Sequence, residues 1–256
     1  QNFKYVDEIY RQIYGQKDKR PSSPIALLNN LPAHVAIIHE LAFSSDDSYL
    51  LSVSADGMAK VWNANDDMKS VSVLPHSNYI YSGKFHPLNN DIVATAGFDG
   101  TIKVWYVKTR SCIQTFQVHR TRINSLVFAP NGKHMYAGDA HGVISVWDTD
   151  IAEEGNDEFQ FIKAVEEDEI KGCCITHLDM GKSNLSLLVY TQDSIVRNFE
   201  TKVMVPSQRY VGAICHHFRL TCQFSPDGSY VIAGSENGSV MLWTVKGSDP
   251  IPVIEW

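Results

Sequence analysis

Residues 49–62 read YLLSVSADGMAKVW, and this stretch decides the fold. Apolar and polar residues alternate on both sides of Asp56-Gly57, which is typical of β-strands with one buried face. An Asp-Gly pair between two such runs favours a tight hairpin, because glycine adopts the positive φ of this turn without a Cβ clash. The stretch therefore predicts a β-hairpin that ends on an aromatic residue, Trp62.

The same hairpin recurs through most of the 256 residues. In five segments a pair of turn residues is followed, five positions after its second member, by an aromatic residue. These aromatic residues are Trp62, Trp105, Trp147, Phe199 and Trp243. Units of about 43 residues that contain four short strands are typical of the blades of a β-propeller. The predicted fold is therefore all-β, with five blades visible in the sequence.

Three of the five units also carry a histidine near their start. His34, His76 and His119 each stand nine residues before a phenylalanine, and the last two units lack this histidine. Together with the terminal aromatic residue, the pattern resembles the WD-repeat family, although only Trp147-Asp148 keeps the Trp-Asp pair whole. The rings of that family most often have seven blades, so the resemblance implies at least one blade beyond these five.

In WD-repeat proteins the histidine, a turn aspartate, a strand serine or threonine and the tryptophan form a buried hydrogen-bonded chain within a blade. The resemblance therefore implies a structural role for these residues rather than a catalytic one. Carried over by position, the blade network comprises His34, Asp56, Trp62, His76, Asp99, Trp105, His119, Trp147 and Trp243. The third unit has His141 at the aspartate position, and we expect the fourth unit to lack all three residues.

Outside the repeats the chain changes character. Apolar residues at helical spacing within residues 1–23 predict a short helix and linker, or a remnant of a flanking region. Residues 24–256 are predicted to form the propeller, and segments 24–32 and 249–256 each read as an outer strand of a blade. An orphan outer strand before the first hairpin is a second reason to expect a larger ring.

The net charge of −7 is a local feature. Residues 153–169 hold eight acids and one base, and the rest of the chain is balanced. Repulsion at this density predicts a solvated acidic loop, and a docking site for a basic partner is the alternative. Without a basic stripe we expect no nucleic-acid partner, and without a run of about 18 apolar residues we expect no membrane insertion.

Motifs that carry chemistry do not occur in this sequence. There is no Walker loop, GxGxxG, HExxH or GxSxG pattern, so we expect no catalytic site and no cofactor. The odd number of five cysteines is typical of a reduced, cytoplasmic protein. Cys215, His216, His217 and Cys222 are the one cluster that resembles metal ligands, but without a CxxC pair we expect no metal site.

Longer stretches narrow the resemblance. Segments 31–62, 73–87, 123–147 and 233–243 are similar, in this order, to the WD-repeat domain of a family of large ciliary scaffold proteins. The similarity implies a cytoplasmic scaffold at the ciliary basal body and transition zone, whose partners are other transition-zone proteins and a Rab-type GTPase. The alternative is an adaptor of another pathway, either a substrate receptor of a ubiquitin ligase or a chromatin reader.

Four residues are candidates for partner binding, because propellers bind partners on their rim and on their loop-lined top face. Tyr79 and Tyr81 flank an apolar strand residue, Phe98 is a turn residue of the same unit, and Arg122 precedes the equivalent strand of the next unit. Tyrosine, phenylalanine and arginine together match the composition of interface hot spots. The alternative is that Tyr81 and Phe98 pack between blades.

Overall fold

A computed structural model of the protein describes residues 30–150 and 158–247. The chain divides into two compact units, residues 1–33 and 34–256, and all described strands lie in the second. The helix predicted within residues 1–23 and the strand predicted for residues 249–256 lie outside the described residues. Of the strand predicted for residues 24–32 only residues 30–32 are described, and they form no strand.

The described residues form nineteen β-strands in five antiparallel sheets, and within each sheet the strands follow chain order. The first sheet contains β1 (Ile38–Phe43), β2 (Tyr49–Ser54), β3 (Met58–Asn63) and β4 (Lys69–Pro75). The second contains β5 (Ile80–His86), β6 (Asn89–Gly97), β7 (Ile102–Tyr106) and β8 (Ser111–Phe116). The third contains β9 (Ile123–Phe128), β10 (His134–Asp139), β11 (Val143–Asp148) and β12 (Gln160–Glu166). The fourth contains β13 (Ile175–Met180), β14 (Ser186–Thr191), β15 (Val196–Glu200) and β16 (Val205–Tyr210), and the fifth β17 (Cys222–Phe224), β18 (Tyr230–Gly234) and β19 (Val240–Thr244).

The predicted hairpins are the central strand pairs of these sheets. The turn between β6 and β7 shows why glycine is needed, since Gly100 has a φ of 70°. A Cβ atom on Gly100 would also lie 2.8 Å from the carbonyl oxygen of Thr121, in the loop that begins the next sheet. This turn therefore packs against the neighbouring sheet as well as reversing the chain.

The sheets are arranged as the blades of a β-propeller, which confirms the predicted fold. The first strands of the sheets, β1, β5, β9, β13 and β17, pack against one another in this order and line a common cavity. Four buried apolar clusters lie between successive sheets, and each is built from the facing sides of two blades. The core is thus distributed among the junctions between blades.

The two terminal sheet faces differ from these junctions. Phe43 in the first blade is 60% exposed, whereas its equivalent in the second blade, Phe85, is 7% exposed. Val240 in the fifth blade is 43% exposed, and its equivalent Ile102 is 1% exposed. Both terminal faces therefore have the apolar character of a junction without a described sheet that covers them.

The acidic segment 153–169 is not a loop throughout, so that prediction was wrong in part. Residues 160–166 form β12, which pairs with β11 as the outer strand of the third blade. The strand forms because Phe161 packs edge-on against Trp147, with ring centroids 5.1 Å apart. Its one acidic residue, Glu166, stays in solvent because an outermost strand has only one neighbour, and residues 151–157 lie outside the described residues.

Candidate functional site

In the first blade a chain of hydrogen bonds joins the early histidine to the terminal tryptophan. Trp62 Nε1 donates to Ser52 Oγ over 2.9 Å, and His34 Nε2 lies 2.7 Å from the same oxygen. His34 Nδ1 lies 2.9 Å from Asp56 Oδ2. Since the indole can only donate, the hydroxyl gives its hydrogen to the imidazole, and the other imidazole N–H faces the carboxylate.

The second blade repeats this chain with a threonine. Thr95 Oγ1 lies 2.7 Å from Trp105 Nε1 and 2.7 Å from His76 Nε2, and His76 Nδ1 lies 3.4 Å from Asp99 Oδ2. Burial lowers the pKa of His76, so the imidazole stays neutral. Although burial alone would raise it, hydrogen bonds led by that from His76 hold the pKa of Asp99 well below its usual range.

The third blade builds the same chain from different positions. His119 Nδ1 lies 3.1 Å from Asp139 Oδ2, so His141 is not the network residue that takes the place of the turn aspartate. His119 Nε2 and Trp147 Nε1 meet at Ser145 Oγ, at 2.8 and 2.9 Å. Ser145 is the cross-strand partner of an alanine at the usual hydroxyl position, and directly paired residues share one face of a sheet. The hydroxyl therefore comes from the neighbouring strand.

The fourth blade has a network of its own, so the prediction that it lacks all three residues was wrong for the aspartate. Asp193 stands at the turn position and accepts hydrogen bonds of 2.6 and 3.2 Å from the Arg197 guanidinium. Arg197 also donates to Thr191 Oγ1 over 2.8 Å. Glu169, in the loop before β13, lies 3.5 Å from Arg197 Nε and is hydrogen-bonded to Arg209.

In the fifth blade the tryptophan alone remains. Trp243 is fully buried, and its Nε1 donates to the carbonyl oxygen of Val211 over 3.0 Å. Cys215 stands where the first three blades have a histidine, and it is buried as well. Within the described residues, the blade-network side chains bond inside their own blades and present no open face to a ligand.

The four candidate partner-binding residues separate into an exposed group and an axial one. Tyr79 and Phe98 are 49% and 48% exposed, and their rings meet edge to face with centroids 6.0 Å apart. Phe98 N donates to the carbonyl oxygen of Tyr79 over 2.9 Å, which fixes the two loops relative to each other. Arg122 is exposed in the next blade, with one guanidinium nitrogen 3.9 Å from Cys174 Sγ.

Tyr81 lies in the axial cavity, which has a volume of about 340 Å³ and is lined from all five blades. Its ring contacts His39, with ring centroids 5.0 Å apart, and lies under the Arg219 guanidinium at 4.7 Å. Arg219 also donates to the backbone carbonyls of Tyr81 and Asn124. Sequence reasoning missed Arg219, although it stands four residues after Cys215, where each of the other four units has an isoleucine.

An ion pair lies beside Arg219 on the wall of the cavity. Glu40 Oε1 lies 2.5 Å from Lys84 Nζ, and Glu40 Oε2 accepts hydrogen bonds from Ser82 Oγ and Gly83 N over 2.7 and 3.0 Å. Although burial opposes it, Lys84 holds the pKa of Glu40 below its usual value. Burial, and then Lys84, lower the pKa of the neighbouring His177 to about 4.

The four residues considered as metal ligands do not converge. His217 Nδ1 faces Glu236 Oε2 at 3.3 Å, whereas Cys222 is buried with its Sγ 4.0 Å from His177 Nδ1. Among residues 30–150 and 158–247 no three histidine, cysteine or acidic side chains are placed to hold a metal ion. The same residues contain no helix long and apolar enough to cross a membrane.

Comparison with known proteins identifies the repeat. The family model described as WD domain, G-beta repeat, matches residues 25–63, 68–106, 110–148 and 209–244. These matches cover the first, second, third and fifth blades. The fourth blade, in which an arginine network replaces the histidine network and a phenylalanine replaces the tryptophan, falls outside them.

Among curated proteins the chain is similar to jouberin. It is 32% identical to jouberin of Mus musculus and 31% identical to jouberin of Rattus norvegicus, over 88% of this chain in each case. It is 23% identical to protein tipD of Dictyostelium discoideum over 85% of this chain. This chain spans 22% of the length of each jouberin and 34% of the length of protein tipD.

Proposed function

Since this chain belongs to the WD-repeat family, we propose that it is a non-catalytic scaffold that binds other proteins through the loop-lined face of its propeller. The observation that carries the proposal is the exposed pair of Tyr79 and Phe98. Large aromatic side chains that are half exposed on a rigid support are typical of interface hot spots, because little conformational entropy is lost when they bind.

The support under this pair is rigid for an identifiable reason. Tyr79 precedes β5 and Phe98 follows β6, and the backbone hydrogen bond between the two residues continues the ladder of these strands. Gly97 lets the loops approach closely, since a Cβ atom there would lie 2.0 Å from the carbonyl oxygen of Tyr79. The patch is therefore held in one geometry before a partner arrives, which lowers the cost of binding.

For the cellular role we propose a jouberin-like scaffold at the ciliary basal body and transition zone. The similarity to two jouberins over 88% of this chain supports this role. Other transition-zone proteins and a Rab-type GTPase are the partners that we propose by resemblance. A substrate receptor of a ubiquitin ligase and a chromatin reader are the competing roles, and the capture experiment below separates them.

The test is affinity capture from ciliated cells with the variant Tyr79→Ala/Arg122→Gln in the full-length protein. We expect partner recovery to fall about tenfold, as when one hot-spot contact is lost, with the fold unchanged. A matched control is Tyr230→Ala/Arg110→Gln, which changes one exposed tyrosine and one exposed arginine elsewhere on the propeller.

Two results would reject the proposal. Equal capture by the patch variant and the control would remove the binding role of this face. Capture dominated by ubiquitin-ligase subunits or histones, with no transition-zone protein, would replace the ciliary role with one of the competing ones.

A further inference from the structure

Arg219 is a cation held inside the propeller without a carboxylate partner. Its guanidinium stacks on Tyr81 and donates to two backbone carbonyls, and no described carboxylate forms an ion pair with it. Arg219 lies before β17 and therefore crosses the axial cavity to reach β5 and β9. A buried charge is costly without compensation, so an arginine that forms no ion pair in a cavity is suited to bind an anion.

Two polar atoms at this point of the cavity are unpaired. Arg219 Nε and Asn124 Oδ1 are buried and have no hydrogen-bond partner among the described residues. Asn124 is fully buried, and its amide nitrogen is already engaged with the carbonyl oxygen of Ile175 over 2.7 Å. The amide is therefore fixed, and both unpaired atoms lie in the wall of the cavity, shielded from solvent. Native proteins rarely leave such atoms unpaired.

The other charges that face Arg219 compensate it only in part. Glu40 is the single carboxylate among the residues that line the cavity, and it is engaged by Lys84 and the Ser82 hydroxyl. Burial lowers the pKa of Arg219, the charge of Glu40 is the largest effect that raises it, and Arg122 lowers it further. Arg219 in turn contributes to the lowered pKa of His39. The cavity thus has a positive potential.

The acidic side chains of the hairpin turns are also engaged with other groups. The carboxylates of the hairpin turns are all engaged by histidine, arginine or backbone N–H groups, namely Asp56, Asp99, Asp193 and Glu236. Arg120 and Arg122 are exposed and form no ion pair among the described residues. Asp168 is exposed and Glu167 is partly buried in the loop before β13, and neither lines the cavity. Arg122 does not line the cavity either, but its charge acts on Arg219.

We propose that the axial cavity binds an acidic peptide segment of a partner protein, with one carboxylate seated on Arg219. This inference rests on the proposed function and names the chemistry of the partner. The carboxylate accepts from Arg219 Nη1, which forms no hydrogen bond with the described residues, whereas Nη2 is engaged with the two backbone carbonyls.

The rim of the cavity agrees with a peptide ligand. Phe218 lines the cavity and is 67% exposed, next to the arginine that we assign to the carboxylate. The exposed pair of Tyr79 and Phe98 stands on the loops of the second blade, which also provides Tyr81. An acidic segment that contains one aromatic or aliphatic residue would bury that residue against these side chains and its charge against Arg219.

The experiment measures the binding of three synthetic peptides by isothermal titration calorimetry. The probes are a blocked pentapeptide with four glutamates around a central phenylalanine, the same peptide with glutamines, and the same peptide with phosphoserines. We expect the glutamate peptide to bind and to weaken as salt is added, and the glutamine peptide not to bind. Tighter binding of the phosphoserine peptide would overturn the assignment of a carboxylate.

Variants of Arg219 and Arg122 test whether the peptide binds at the proposed site. We expect Arg219→Gln to abolish binding of the glutamate peptide, and Arg219→Lys, which keeps the charge but loses the planar guanidinium, to weaken it about tenfold. Arg122→Gln, on an exposed side chain that the fold does not need, is expected to weaken it about threefold to tenfold. The exposed Arg110→Gln is the control and should bind like the natural protein.

Failure of this inference differs from failure of the proposed function. If no peptide binds, or if Arg219→Gln binds as well as the natural protein, the axial site is wrong even where Tyr79→Ala/Arg122→Gln loses its cellular partners. If the glutamate peptide binds through Arg219 while that double variant keeps every cellular partner, the axial site stands and the proposed role of the aromatic patch falls.

Discussion

The second and fourth blades both have an aspartate at the hairpin turn, but its basic partner comes from different segments. In the second blade His76, from the loop before β5, contacts the turn acid Asp99 and so ties that loop to the hairpin. In the fourth blade the base Arg197 comes from the hairpin itself, and the loop before β13 provides an acid, Glu169. The comparison shows that both blades pair the turn carboxylate with a base and connect the hairpin to the preceding loop. The base can come from that loop, as His76 does, or from the hairpin, as Arg197 does.

The largest effect in this comparison is expected from Arg197→Met. The change leaves Asp193 without its partner and frees Glu169 from the hairpin, and breaking a buried ion pair typically costs about 3–5 kcal/mol. Urea denaturation measures the loss in the free energy of unfolding. The double variant Asp193→Asn/Arg197→Met should recover part of this loss. A loss below about 1 kcal/mol in the single variant would show that the ion pair does not stabilise this blade.

A smaller loss is expected from Thr95→Val in the second blade. The hydroxyl serves both His76 and Trp105, so its removal leaves two buried groups unpaired, at about 1–3 kcal/mol in all. The matched control Thr115→Val changes an exposed threonine and should stay within about 0.5 kcal/mol. Equal losses in the two variants would mean that the histidine chain contributes nothing beyond packing.

The two kinds of base should also differ in their response to pH. Burial lowers the pKa of His76, and that of His177 to about 4, so the unfolded chain binds more protons below its histidine pKa of about 6.5. Stability is therefore complete above about pH 6.5 and falls on acidification, with His177 alone contributing about 2 kcal/mol between pH 6.5 and 5. Denaturation curves at several pH values measure this slope.

The variants separate the sources of this slope. His177→Gln should flatten it, whereas Arg197→Met should lower stability by the same amount at each pH, because a guanidinium does not titrate in this range. A slope that survives in His177→Gln and disappears in Arg197→Met would contradict the assignment.

The smallest effect is expected from His141→Ala in the third blade. Its ring is exposed, and its recorded bond to Asp139 uses the backbone N–H, which alanine keeps. The free energy of unfolding should change by less than about 0.5 kcal/mol, as measured by the same denaturation curves. A loss above about 1 kcal/mol would show that the His141 side chain takes part in the blade network, although His119 bonds to Asp139.

The sequence predicted the blades because the signals for a hairpin are local. Asp56-Gly57 and Trp62 lie within one strand pair, so the spacing between them predicts both the turn and the buried face of the hairpin. The prediction was wrong for residues 160–166, because the acidic composition of the segment suggested a loop. The apolar contact that supports a strand there, Phe161 on Trp147, is made across the sheet and is not visible in the local sequence. It also missed the role of Asp193, since its partner is an arginine and not the expected histidine.

By itself the sequence determined the all-β propeller, the positions of its turns and the family, because each depends on a repeated short-range pattern. Only the tertiary structure decided that Ser145 replaces a hydroxyl of the neighbouring strand, since cross-strand register places the two positions on one face. It alone decided that Arg219 meets the carbonyl oxygen of Asn124, because the radial arrangement of the blades brings distant inner strands to one axis. Local periodicity specifies a blade, and the arrangement of the blades around an axis specifies the site.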